Sequence, residues 1–144
     1  INAGSHYLVV SAAFPALDTW IRTLNDPNMP VIAPPQATPL TVLSSSPVVI
    51  ARDIHGNALG GIRSPHVDAP VAKLDSVNSG FFFCALFGRT EPFSASKVLS
   101  LYPTKANFLT AWQNALNASV AEGFILPEDA VDLEAAADAW DFPN

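Results

Sequence analysis

The chain has 144 residues and a mass of 15.3 kDa, 49% of them hydrophobic and 14% charged, which is the size and composition of one domain that buries a core. Its formal net charge of −6 argues against nucleic acid and anionic membrane as partners, since both attract clustered Lys and Arg. The longest apolar runs, such as FFFCALF at 81–87, fall far short of the ~20 residues of a bilayer span, and the opening INAGSHY carries no basic leader region.

Taken in chain order, HYLVVSAAFPALDTWIRTL puts Leu8, Ala12, Leu17, Trp20, Ile21 and Leu24 at spacings close to one helix face. Pro15 either removes a hydrogen bond and kinks this helix or marks the first turn of a shorter one starting after Ser11. The helix is expected to end near Asn25–Asp26, because Pro27 follows. The stretch DPNMPVIAPPQATPLTVLSSSP holds six of the 13 prolines and reads as an extended surface path. VVIARD and ALGGIR flank IHGN as a β-hairpin would, and two prolines keep SPHVDAPVA extended. FFFCALF reads as a buried strand. After Gly88 three helices are expected. The first is capped by Ser94 and ends near Tyr102. The second opens at Pro103–Thr104, repeats Phe108, Trp112, Leu116 and Val120 every four residues, and closes at Gly123. The third begins at Pro127, with Glu128 and Asp129 where the helix dipole favours acids.

The search for chemistry is mostly negative. His6, His55 and His66 have no close-spaced partner, and one cysteine cannot build a zinc site, so no metal and no cofactor is expected. GNALGG lacks the Lys-Ser/Thr and the following helix of a nucleotide loop, and no G-x-S-x-G nucleophile elbow occurs. His66 and Asp68 lie two apart and would point the same way on an extended strap, as an acid–base pair or, the favoured reading, as a polar rim. Asn117-Ala118-Ser119 is a glycosylation sequon inside an expected helix. Cys84 has two readings: a buried thiol packed among phenylalanines, slightly favoured, and a disulfide to a cysteine of another chain, which would imply an oxidising, secreted or periplasmic setting. A start at Ile1 without Met suggests a processed product, a cleaved piece or a segment of something longer.

Several blocks carry a family resemblance. Asp53 to Arg63 reads D-x-x-G-N-A-L-G-G-I-R and continues as SPHVDAPVA, followed downstream by FCALFGRTEPF, LYPTKANFLTAW and AEGFILPEDA. Together with the opening helix HYLVVSAAFPALDTWIR, these resemble the C-terminal region of a family of bacterial alpha/beta hydrolase domain-containing proteins. The match covers nearly the whole chain in the same order, with Pro15 and the long proline-rich stretch as departures.

The resemblance implies an α/β-hydrolase fold when complete. This chain would supply the last core helix (1–26), a proline-rich linker (27–47), a β-hairpin and extended strap (48–90) and a helical C-terminal appendage (91–144). It also implies ester or amide hydrolysis by a serine, with serine, acid and relaying histidine carried by an N-terminal partner polypeptide that this chain completes. A small ester or amide would be the substrate of the complete enzyme. His6 is then the only resident candidate base, against the favoured reading of an imidazole that caps or packs at the helix start. Arg63 and Asp68 are expected to anchor the strap internally. The alternative is a stand-alone, non-catalytic binding or structural domain derived from such a hydrolase.

Overall fold

The computed structural model describes Gly4, residues 6–81 and residues 83–143. Helix α1 (His6–Asn25) passes through Pro15 without interruption, so no shorter helix begins after Ser11. The carbonyl of Ser11, which proline leaves without its intrahelical donor, belongs to an exposed residue, so the lost bond is not buried. Leu8, Ala12 and Thr23 are the buried residues of this helix. The proline-rich stretch then folds back along it: the Thr23 hydroxyl accepts the N–H of Ile32 at 3.0 Å.

Strands β1 (Val42–Ser45) and β2 (Val48–Ile50) pair antiparallel around Ser46–Pro47, so the hairpin lies earlier than the one expected around Ile54–Asn57. The chain does reverse at Asp53–Asn57, by a different device. Asp53 Oδ1 accepts the N–H groups of both His55 and Asn57 at 2.9 Å, and the flanks pair only through the isolated bridge Arg52↔Ala58. A regular second strand is prevented by Gly60 and Gly61, both at positive φ. A Cβ on Gly60 would stand 2.2 Å from the carbonyl oxygen of Pro39, so only glycine lets the two backbones approach there.

The strap expected to be extended contains a helical turn, α2 (Pro65–Asp68). Ser64 is extended at φ −79° and ψ 169° with Pro65 at the first helical position, the arrangement in which proline's fixed φ favours a helix start. Strand β3 (Ala72–Asp75) follows and pairs antiparallel with β4 (Arg89–Pro92), Asp75 facing Arg89. Between them FFFCALF is not a buried strand. Gly80 at φ 135° and Gly88 at φ 61° turn the backbone at either end of the run, Cys84–Phe87 forms a 3-10 turn, and Phe81 is 87% exposed. Phe82 lies outside the described residues. Cys84 is exposed, which corrects the buried-thiol reading.

The three C-terminal helices lie where the sequence puts them: α3 (Ala95–Leu101), α4 (Lys105–Ala121) and α5 (Pro127–Ala139). Ser94 Oγ accepts from Lys97 N–H at 3.3 Å and Thr104 Oγ1 from Asn107 N–H at 3.2 Å, each satisfying an orphan donor of the first turn. Helix α4 stops in a Schellman motif, with Phe124 N–H on Ser119 O at 2.9 Å and Gly123 N–H on Val120 O at 3.0 Å. Gly123 takes the positive φ of 79° that this motif requires, and its bare Cα leaves room for Pro35, whose Cγ would lie 2.8 Å from a Cβ.

Here the core sits. Phe108, 1% exposed, is ringed by Tyr102, Trp112, Trp140 and Phe142 at centroid distances of 5.4, 5.7, 4.8 and 6.3 Å. Leu116, Ile125, Leu133 and Ala137 complete the cluster, with Leu8 of α1 and Ala69 joining from the N-terminal half. Offset aromatic pairs at such distances add to the burial of their surface. Phe108→Ala is expected to lower the unfolding free energy by about 3–5 kcal/mol in a urea titration, whereas exposed Val131→Ala changes it by less than about 0.5 kcal/mol.

Candidate functional site

Two polar or concave regions stand out, and they share the backbone of residues 62–68. The first is a hub built on Arg63. Its Nη1 donates to Ala58 O at 2.7 Å, its Nη2 to Asp53 Oδ2 at 3.3 Å and its Nε to Asp68 Oδ1 at 2.5 Å. The Arg63 carbonyl accepts from Ser119 Oγ at 3.0 Å, which ties the hub to α4. Partial burial works to raise the Asp53 pKa, but the N–H groups of Asn57 and His55 and the Arg63 guanidinium outweigh it and hold the carboxyl below its usual range. Burial likewise opposes the Arg63 charge, and Asp68 and Asp53 more than compensate.

Asn57, 1% exposed, couples the hub to the second sheet. Its Oδ1 accepts Leu74 N–H at 2.8 Å and its Nδ2 donates to Ala72 O at 3.4 Å. On that sheet a row of charges is mutually paired, Lys73 to Asp75 and Glu91 at 3.4 and 3.6 Å and Arg89 to Glu91, and Arg52 joins it from outside, 3.0 Å from Asp75.

The second region is a cleft of about 700 Å³ between the start of α1, α2, β3 and the 3-10 turn. Val9, Val10, Ile62, Val67, Leu74, Leu86 and Phe87 form its apolar walls, and His6, Ser64 and Ser76 supply its polar side chains. Ser64 is buried, and its hydroxyl caps nothing in α2. His6 is exposed at the rim.

Helical geometry sends three consecutive side chains of α2 in three directions. Val67 faces the cleft, Asp68 reaches Arg63, and His66 packs edge-on against Trp112 at 5.0 Å between ring centroids. His66 and Asp68, two residues apart, are separated by about 200° on a helix, so they do not form the acid–base pair that an extended strap would allow. Burial lowers the His66 pKa below its ordinary 6.5, and His66 Nδ1 and Trp112 Nε1 are both buried without a hydrogen-bond partner among the described residues. His55 lies apart, near Phe93 at 6.1 Å. The serine of the sequon, Ser119, is buried and donates within the fold.

Among the described residues, no serine or cysteine side chain hydrogen-bonds a histidine, and no three His, Cys, Asp or Glu side chains converge as a metal site would require. Among the described residues, no helix is long and apolar enough to cross a membrane. The arrangement can bind and orient a small molecule; among the described residues it holds no assembled nucleophile–base pair. Sequence reading did not single out Asn57, Ser64 or Ser76. For Asn57 the signal was present, a carboxylate three residues ahead of a Gly-Asn pair, but it signals a turn and not the cross-connection to β3.

Two outcomes are expected. Arg63→Ala and Asp68→Ala both lower the urea midpoint, Arg63→Ala more, because it strands Asp53 and Asp68 together. The second concerns pH. The unfolded chain protonates His66 near 6.5 and the folded chain only below that, so stability is full above pH 6.5 and falls as the pH drops from 6.5 through the depressed folded value. Urea midpoints for wild type and His66→Phe between pH 7.5 and 5 should show that component in the wild type alone.

Residues 1–135 match the sequence model of the family described as Alpha/beta hydrolase domain. No curated protein and no solved structure matches the chain.

Proposed function

This chain belongs to the alpha/beta hydrolase domain family, and from that premise we propose that it forms the C-terminal portion of a serine hydrolase of ester or amide bonds, inactive alone, which completes the core or acyl pocket of an N-terminal polypeptide. The observation that carries this reading is the uncovered apolar surface of α1. Tyr7, Val10, Phe14, Leu17, Trp20, Ile21 and Leu24 are all exposed along this one helix, and Phe81, Phe83, Leu86 and Phe87 extend the apolar surface elsewhere. A contiguous apolar surface of this kind marks a place where another surface belongs.

The strand inventory supports the same reading. The described strands form two separate antiparallel pairs, whereas a nucleophile elbow needs a strand-to-helix turn at the edge of a larger sheet. On this reading the partner supplies the serine that attacks the carbonyl, the relaying histidine and the oxyanion donors, while this chain supplies apolar walls and a covering surface. Exposed Cys84 is available for a bridge to that polypeptide.

The test is co-expression. The chain alone is expected to show no turnover of p-nitrophenyl acetate, and its assembly with the upstream polypeptide to show turnover that a serine-directed fluorophosphonate abolishes. Robust, inhibitor-sensitive hydrolysis by the chain alone overturns the reading. So does a soluble, monomeric, cooperatively unfolding chain that never binds the upstream polypeptide, which is the behaviour of a stand-alone binding domain. A drop of about 10²–10⁴ in kcat of the assembly on His6→Gln would place the base in this chain instead. Intact mass with and without reductant reports whether Cys84 holds the second polypeptide.

A further inference from the structure

The cleft beside α1 has a composition that specifies its ligand more closely than the family does. No Asp, Glu, Lys or Arg lines it, and His6 at the rim is its one ionisable side chain, although the molecule has charged side chains only a few residues away at Arg63, Asp68, Lys73 and Asp75. Each of those four is engaged elsewhere, Arg63 and Asp68 with one another and Lys73 and Asp75 within the second sheet. Burying an unpaired carboxylate or ammonium in such a cleft is strongly unfavourable, so a charged ligand is selected against. The walls are branched aliphatics, Val9, Ile62, Val67 and Leu74, with Phe87 at the opening, and a cleft of about 700 Å³ is in the size range of small-molecule sites.

Its polar side chains are few and sit beside the apolar walls. His6 stands at the rim, and the Ser64 and Ser76 hydroxyls can donate to or accept from a neutral carbonyl or amide. Val10, Leu86 and Phe87 line the cleft and are at the same time exposed to solvent, so the cleft opens onto the apolar surface that the proposed function assigns to the partner. A polypeptide docked there would close the open side and make the cleft a water-excluded pocket.

We infer that this cleft is the acyl-side binding site of the assembled enzyme and takes an uncharged, medium-length aliphatic acyl chain. The inference rests on the proposed function, and it names a substrate class and the residues that select it. Val9 and Ile62 set how much of the chain is accommodated, while the absence of any Lys or Arg among the lining residues disfavours acyl groups that end in a carboxylate.

The experiment compares kcat/KM of the assembly for p-nitrophenyl acetate, hexanoate and hemisuccinate. Hexanoate is expected to exceed acetate by about tenfold or more, the scale on which an apolar pocket discriminates alkyl length, with hemisuccinate the poorest. Val9→Trp and, separately, Ile62→Trp should collapse the hexanoate-to-acetate ratio toward unity. Val131→Trp, at an exposed position on α5 outside the cleft lining, should leave the ratio alone.

Hydrolysis whose length preference survives both cleft substitutions overturns the inference while the hydrolase reading stands, as does hydrolysis that favours hemisuccinate. An assembly that hydrolyses neither ester nor amide overturns the hydrolase reading. The cleft is then judged by hexanamide binding, read from amide resonance shifts of this chain: shifts confined to Val9, Ile62 and Leu74 support it, and none there overturns it. Loss of those shifts on adding the upstream polypeptide would show that partner side chains fill the cleft, which also overturns the acyl assignment.

Discussion

The guanidinium of Arg63 joins two pieces of chain through their carboxylates. One is the turn at Asp53 and the other is the helical turn that ends at Asp68. Each supplies a carboxylate, and the planar fork of the side chain reaches both while a third nitrogen serves the Ala58 carbonyl. Remove the fork and two like charges face each other in a half-buried setting, where their repulsion is poorly screened. Because Ser119 of α4 donates to the Arg63 carbonyl, the same residue also joins this polar half to the aromatic core of the C-terminal helices. Ile62 and Ser64, its immediate neighbours, line the cleft, so the cleft's floor is positioned by an ion-paired arginine that does not itself enter it.

The C-terminal helices were legible because every signal in them is local. Ser94 and Thr104 cap their own helices, Pro127 starts its own, and the four-residue recurrence of Phe108, Trp112 and Leu116 coincides with the buried stripe. The middle of the chain was legible only as a turn-rich region. An Asx turn and a two-residue hairpin turn look alike in sequence, and what separates them here is the close backbone approach at Gly60, which is a tertiary fact. The aromatic run at 81–87 misled for a complementary reason. Strand propensity measures fit to a pleated, half-buried surface, and the described part of this run has no neighbouring strand to provide one. The mirror case is α1, whose apolar face was read correctly as helical although most of it faces solvent in this chain.

Uncharged character is distributed unevenly along the molecule. From Pro27 to Ala51 there is no Asp, Glu, Lys or Arg, and many apolar side chains there, among them Val31, Ile32, Leu43 and Val48, are exposed. The paired charges gather instead around residues 52–91, where they hold β3, β4 and the Asp53 turn. Residues 27–51 are thus free of charges that a dry contact would have to desolvate, while α1 keeps one exposed pair, Arg22 with Asp18.

The proline-rich stretch is pinned at successive points: to α1 where Thr23 receives Ile32 N–H, to the end of α4 where Pro35 fills the space above Gly123, and to the glycine pair where Thr38 bridges Gly61. Proline has little backbone freedom to begin with, so these few contacts suffice to make the stretch a brace and not a tether. Helix α1 is therefore carried at a set angle on the rest of the chain. A surface that meets it need not first choose among orientations, and the entropy that docking a swinging helix would consume has already been lost during folding.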